Sequence, residues 1–317
     1  MLLKDLHLLP KFRDGLSYLY VEHCKIEQEA QSIALYDADG KTPVPCASLS
    51  VLMLGPGTSI SHAAVLSLAD NGCLAVWCGE EGVRFYAQGT GESRNSRRLI
   101  QQARLASHPD LRLKVVRRMY ERRFPDPLSP DLSLEQIRGM EGIRVRTAYS
   151  TASRESGVPW EGRNYDRKSW KDADPVNKAL SVANSCLYGI CHAGIVSMGY
   201  SPALGFIHTG KQLSFVYDVA DLYKADISIP IAFGAAVEGA SKLEQRVRYL
   251  CRDWFRELRL LARIADDLEK LLDIPEAEDG AADFDGDPAL PGEIWDPKGN
   301  VSGGINFSEE TEKKEDE

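Results

Sequence analysis

From Pro175 to Tyr200 the chain reads PVNKALSVANSCLYGICHAGIVSMGY, apolar or small on nearly every side of a helix. A helix without a polar face is stable in water only when other elements surround it, so this stretch predicts a central helix inside a mostly helical domain. The flanking sequence agrees. SRRLIQQARLAS and LRLKVVRRMYERRF repeat apolar residues at helical spacing with arginines between them, and Phe124-Pro125-Asp126-Pro127 ends the pair. Ser133-Leu134-Glu135-Gln136 forms a capping box that opens a helix through IRGMEGIRVRTAYSTAS. Further on, KLEQRVRYLCRDWFRELRLLARIADDLEKLLD predicts one long amphipathic helix or two.

Before Gly89 the period is different. LSYLYVEHCKIEQ, SIALYDADGK, PCASLSVLMLG, CLAVWCG and VRFYAQG are short apolar or alternating runs divided by turn formers such as Asp39-Gly40 and Gly55-Pro56-Gly57. One short helix interrupts them, with Ser59 or Ser61 as its N-cap and Asn71-Gly72 as its end. GPGTSISH has the glycines of a phosphate loop but lacks the closing Gly-Lys-Ser/Thr, so it reads as a strand-to-helix turn. The expected fold class is α+β: a small N-terminal β-sandwich-like domain over 1–89, a larger mostly α-helical domain over 90–274, and a disordered acidic tail over 275–317.

A net charge of -9 ordinarily speaks against nucleic acid, but its distribution is uneven. Asp266 to Glu317 carries -14, leaving the rest at +5, and Arg84 to Lys171 alone carries +9. Arginine's planar fork suits phosphate oxygens, so that segment is either a backbone-binding surface or a salt-bridged helical face. In the tail, Ile294, Trp295, Ile305 and Phe307 are isolated apolar anchors able to dock on a partner. The early charges and proline of MLLKDLHLLPKFRDG do not fit a signal peptide, and no run approaches the ~18 apolar residues of a membrane span, so a cytoplasmic location is expected. Seven cysteines without paired CxxC spacing argue against a disulfide framework or zinc ribbon, and Cys186, Cys191 and His192 read as buried small residues.

Candidate chemistry concentrates in GFIHTGKQLSFVYDVADLYK, Gly205 to Lys224. Phe215 to Lys224 predicts a helix whose Phe215, Val219 and Leu222 face a core, with Asp218 and Asp221 stacked on a neighbouring face. Two carboxylates that close need a cation or a basic side chain, and His208 adds an imidazole, a donor set suited to Mg2+ or Mn2+. The alternative is a solvated helix face and a loop histidine. Glu141 falls on the apolar line of Ile137, Val145 and Ala148, so it either bonds an arginine such as Arg138 or Arg144 or faces a cation. In GVPWEGRNYDRKSWK, Trp160, Tyr165 and Trp170 alternate with Arg163, Arg167 and Lys168; these aromatics either stack on bases or pack back on the core.

Taken in order, Glu141 in RGMEGIRVR, then HTGK, then SFVYDVADLYK resemble the CRISPR-associated adaptation integrases, the Cas-one family, and the type I-E branch most. LGPGTSISHAAV, VWCGEEGVRFYA, DLRLKVVRRM, SCLYG and CRDWFR extend the resemblance over most of residues 10 to 260. It implies a β-rich N-terminal domain for dimerisation and partner contacts, a helical catalytic domain, and metal ligands at Glu141, His208 and Asp221 with Asp218 as the adjacent acidic catalytic residue. It also implies that Tyr165, Tyr188 and Lys211 meet the end of incoming DNA and that Arg84, Arg112, Arg138, Arg146 and Arg248 contact duplex or strand. Arg163 and Lys224 join these as candidate DNA contacts. The implied reaction is ATP-free transesterification, in which Mg2+ or Mn2+ at a scissile phosphate supports attack by a 3'-hydroxyl or water. The implied partners are duplex DNA with splayed or single-stranded ends, the CRISPR leader-repeat, a second copy of the chain, and a dimer of the small Cas-two protein flanked by two integrase dimers. Where close relatives place a wedge tyrosine, this chain has His23, and its tail is more acidic than their proline-rich ones. Two other functions use the same residues: a metal-dependent nuclease on branched DNA in repair, and a DNA-binding scaffold with structural carboxylates.

Overall fold

The computed structural model describes residues 18–30, 32–80, 85–89, 96–163 and 174–273. Arg84, Tyr165, Trp170 and the acidic tail lie outside the described residues. The chain folds as an N-terminal pair of sheets followed by a mostly helical domain, the α+β arrangement that its two periods predict.

In the first sheet, β1 (Tyr18–Val21), β5 (Val51–Leu54) and β7 (Leu74–Cys78) run parallel, and β8 (Phe85–Gln88) pairs antiparallel with β7. In the second, the order is β4 (Gly40–Val44), β3 (Ser32–Asp37), β2 (Lys25–Glu29) and β6 (Ser59–Ile60). The first sheet's central parallel strands, β5 and β7, are buried on both faces, as parallel strands usually are, while the antiparallel edge strand β8 is mostly exposed. Along β5, Leu52 and Leu54 enter a small core with Ile26, Ile33 and α1 (His62–Asp70), while Val51 and Met53 turn to the large helical core. The period-2 alternation of one strand thus joins the two halves. LSYLYVEHCKIEQ, expected as one run, is two strands in different sheets. The chain changes sheet at His23, whose backbone is left-handed (φ 51°) and whose N–H donates to the Pro56 carbonyl at 2.9 Å.

The helical domain is built around α5 (Pro175–Ser197), packed by α6 (Ser214–Ala220), α7 (Ile229–Val237), α8 (Leu243–Glu257) and α9 (Leu260–Leu272). Contrary to the sequence-based expectation, α5 is long and apolar enough to cross a membrane by length and composition, but 78% of its most apolar window is buried inside the protein. Its Gly194 is needed for packing: a β-carbon there would stand 2.9 Å from Ile264 Cγ2 of α9. Cys186, Cys191 and His192 are buried in this helix, and burial alone lowers the His192 pKa to about 4. The long C-terminal amphipathic stretch is two helices, α8 and α9, broken at Arg259 with φ 47°.

Before α5 come α2 (Arg97–Ser107), α3 (Pro109–Glu121) and α4 (Leu134–Ser156). The capping box forms as predicted, with Gln136 N–H donating to Ser133 Oγ at 3.2 Å and Ser133 N–H to Gln136 Oε1 at 2.8 Å. Left-handed Gly157 closes α4. Between α6 and α7 the expected helix through Lys224 is absent. It stops at Ala220, tightens through i−3 bonds at Leu222 and Tyr223, and widens into a π-turn over Lys224–Ser228. Pro230, in the first turn of α7, has no N–H for the residue 226 carbonyl and its ring crowds it, which favours the wider turn.

Candidate functional site

α4, the loop before α6, and the end of α6 bring Glu141, His208, Asp218 and Asp221 to one region. Asp218 and Asp221, three residues apart, do not act as a repelling pair, because each has its own partners. The Asp218 side chain is 0% exposed and reaches back across the turn. It accepts backbone N–H groups of Phe206 (2.6 Å), Ile207 (3.0 Å) and His208 (2.8 Å), and the His208 Nδ1–H at 2.7 Å. Four donors on one buried carboxylate make it the organiser of the loop, with no lone pair directed at solvent. The bond to Nδ1 fixes the tautomer, so neutral His208 offers the unprotonated Nε2 lone pair as a metal ligand or hydrogen-bond acceptor. Asp218 raises the His208 pKa, opposed by burial, and the charge of Asp221 raises it further. Gly205 permits the close turn, since a β-carbon would meet the His208 carbonyl at 2.3 Å. Arg112 holds the same loop from α3, its Nε and Nη2 donating to the Phe206 carbonyl at 2.9 and 2.7 Å.

Glu141 and Asp221 are surrounded by cations. Of the two arginines the sequence offered, Arg144 is the partner of Glu141, through Nε to Oε2 at 2.8 Å and Nη2 to Oε1 at 3.0 Å. Lys224 Nζ donates to Asp221 Oδ1 at 2.5 Å and lies 4.9 Å from the Tyr188 ring centroid. Burial works against the Lys224 ammonium, but Asp221 and Tyr188 outweigh it, so its pKa is raised. Arg123, unremarked in the sequence, stands between the carboxylates, with Nη1 3.2 Å from Glu141 Oε1 and Nη2 4.0 Å from Asp221 Oδ2. Tyr217 was also missed. Its ring meets Tyr188 edge-on at 5.1 Å and His208 at 5.9 Å, linking the imidazole to the Tyr188–Lys224 pair. Its only sequence signal is its place inside SFVYD. Arg123 gave no signal, because its partners are distant in sequence.

The remaining candidates divide. Arg138, Arg146 and Arg163 are exposed and have no internal partner among the described residues, and the Lys211 side chain is exposed on a loop with left-handed Gly210 (φ 78°). Arg248 is engaged instead, with Nη2 3.0 Å from Glu80 and Nη1 3.8 Å from Glu244. Trp160 packs back, stacking on Tyr149 at 4.5 Å and meeting Phe233 edge-on at 5.7 Å. His23 is exposed in the strand crossover, with its ring covering Gly57, where a β-carbon would stand 2.4 Å from Nδ1.

As the side chains stand, no three His, Cys, Asp or Glu groups among the described residues close on one point as a metal cluster. The donor chemistry nevertheless fits a hard divalent ion: two carboxylates that share one guanidinium, and an imidazole whose Nε2 is left free. Carboxylates, an oriented imidazole and basic side chains at one place are the groups of a phosphodiester-processing site.

The comparisons give the family. The family model described as CRISPR associated protein Cas1 matches residues 17–125 and 122–242, and the chain belongs to the Cas1 family. It is similar to the CRISPR-associated endonuclease Cas1 2 of Thermus thermophilus, 56% identical over 307 residues, covering 96% of this chain and 94% of the relative. With the CRISPR-associated endonuclease Cas1 of Escherichia coli it shares 44% identity over 281 residues, 88% of this chain and 92% of the relative. A crystal structure of a TtCas1–DNA complex matches with a TM-score of 0.75 and 58% identity, over 84% of this chain and 99% of that one. A casposase bound to its integration product, 13% identical with a TM-score of 0.51 over 81% of this chain and 95% of that one, shares the fold.

Proposed function

We propose that this chain is a metal-dependent DNA endonuclease and integrase of CRISPR adaptation, of the type I-E branch, which inserts short captured DNA into a repeat array by transesterification. The observation that carries the reading is the convergence of Glu141 and Asp221 on one guanidinium beside an imidazole held by Asp218. The endonuclease names of the relatives and the DNA-bound TtCas1 structure support it. Glu141, Asp221 and His208 hold Mg2+ or Mn2+, and Asp218 is a positioning residue that fixes the ring. The bound ion supplies charge neutralisation at the scissile phosphate. Arg144 and Lys224 draw the phosphate to the carboxylates. Tyr188, Lys211 and Arg163 meet DNA near the site, and Arg138 and Arg146 hold backbone along α4. The chain works in the cytoplasm as a homodimer, with two such dimers flanking a Cas-two dimer.

A strand-transfer assay tests this, using a short duplex with free 3'-hydroxyls, a supercoiled repeat-array plasmid, Mn2+, and Cas-two present or absent. Partner-dependent joined products that vanish with His208→Ala or Asp221→Ala are expected. Nicking alone, or equal behaviour of variants and wild type, sinks the integrase reading in favour of a nuclease or a scaffold respectively.

A further inference from the structure

Arg123 follows α3, and only 4% of its side chain is exposed. Its guanidinium lies 5.0 Å from the Tyr120 ring centroid, and its Nε and Nη2 are buried without a hydrogen-bond partner among the described residues. Arginine has no accessible neutral form, so this burial is tolerated only where opposite charge offsets the lost hydration. Glu141 and Asp221 provide that charge, from different helices. Arg144 pairs with Glu141 and Lys224 with Asp221, whereas among the described residues Arg123 alone reaches both carboxylates.

We propose that Arg123 is the resident counter-cation of the Glu141–Asp221 pair, a positioning residue that gathers the two carboxylates in the metal-free protein and competes with the divalent ion for them. The inference rests on the metal reading above. Without a cation between them the carboxylates repel, and α4 and the end of α6 lose the guanidinium that ties Glu141 to Asp221. A competing cation stabilises the metal-free form more than the loaded one. Removing Arg123 therefore weakens the empty protein and tightens metal binding, by about tenfold for a coupling of ordinary size.

The test is Mn2+ titration by calorimetry on the full chain as wild type, Arg123→Met, Arg123→Lys and Glu141→Gln, with thermal unfolding of each with and without saturating Mn2+. For Arg123→Met we expect an Mn2+ Kd about tenfold lower than wild type and a Tm deficit that shrinks when Mn2+ is added. For Arg123→Lys, whose single ammonium cannot bridge both carboxylates, a Kd lowered by a few fold is expected. Glu141→Gln should lose most of the Mn2+ binding. An unchanged Kd with an equal Tm deficit in both conditions makes Arg123 a packing residue and overturns the proposal. Should Arg123→Met fail to fold, an unchanged Kd in Arg123→Lys does the same. If folded wild type binds no Mn2+, the metal reading itself falls. A stability double-mutant cycle between Arg123→Lys and Glu141→Gln then still reads the bridge, and zero coupling overturns the counter-cation.

Discussion

In α3 and the two residues after it, the arginines point inward. Arg112 holds the carbonyl of Phe206, Arg117 those of Ser129, Pro130 and Leu132, and Arg118 caps the end of α9. Arg122 grips Asp267 with both arms of its fork, at 2.9 and 3.0 Å, and Arg123 serves the carboxylates. In α4, by contrast, Arg138, Arg146 and Arg154 are exposed without internal partners among the described residues, and only Arg144 turns to Glu141. The two helices share one basic segment of sequence. The first is scaffold for the site and the second presents free cations, so the sum of +9 overstates the phosphate-binding surface.

The largest effect expected from this contrast is at Asp267, which is 5% exposed and also accepts the Tyr223 hydroxyl at 2.7 Å. Asp267→Ala leaves the buried Tyr223 hydroxyl without its acceptor and takes the counter-charge from a partly exposed Arg122, and should lower unfolding free energy by about 3–4 kcal/mol in urea titrations. A loss as small as that of a surface substitution would show that the inward arginines are not scaffold.

His192 gives the next effect. It is buried, stacked on Phe85 at 3.6 Å, with its pKa lowered from 6.5 to about 4. Below the unfolded value the unfolded chain takes a proton that the folded one refuses. Stability is therefore full above pH 6.5 and falls as pH drops toward 4. The loss amounts to about 3 kcal/mol, and His192→Gln should flatten the pH slope relative to wild type by that amount in unfolding titrations.

Arg112→Ala removes a bidentate clamp from the loop that carries His208. It should lower stability by about 1–3 kcal/mol and slow strand transfer while leaving the salt dependence of DNA binding unchanged. A flatter salt dependence would instead place Arg112 on DNA. The smallest stability effects belong to α4, where Arg138→Ala and Arg146→Ala should each move stability by less than about 0.5 kcal/mol. Each should reduce the salt-dependence slope of DNA binding by about 1. Substitutions in α3 and α4 that cannot be told apart in these measurements would erase the comparison.

Much of the fold was legible because its signals are local. Ser133 and Gln136 cap α4 as their spacing requires, Ser61 caps α1 by accepting from Ala64 N–H, and α5 is buried as its composition requires. The crossover at His23 was not legible, since a left-handed residue inside an alternating run leaves no mark in polarity. The early end of α6 was not legible either, because the effect of Pro230 on the preceding turn depends on whether the chain widens or breaks there.

At the site, the sequence determined which groups are present and which lie on one turn: the carboxylates at 218 and 221, the histidine ten residues before the first, and Glu141 on the apolar line of α4. Only the tertiary structure decided their roles. Asp218 became the buried organiser of the loop, Arg144 rather than Arg138 took Glu141, and Arg123 came to stand between carboxylates from two helices. The physical reason is range. Caps and periodicities are settled within a few residues, whereas a buried charge is compensated by whichever opposite charge packing brings near, as Arg122 is by Asp267 across 145 residues of chain.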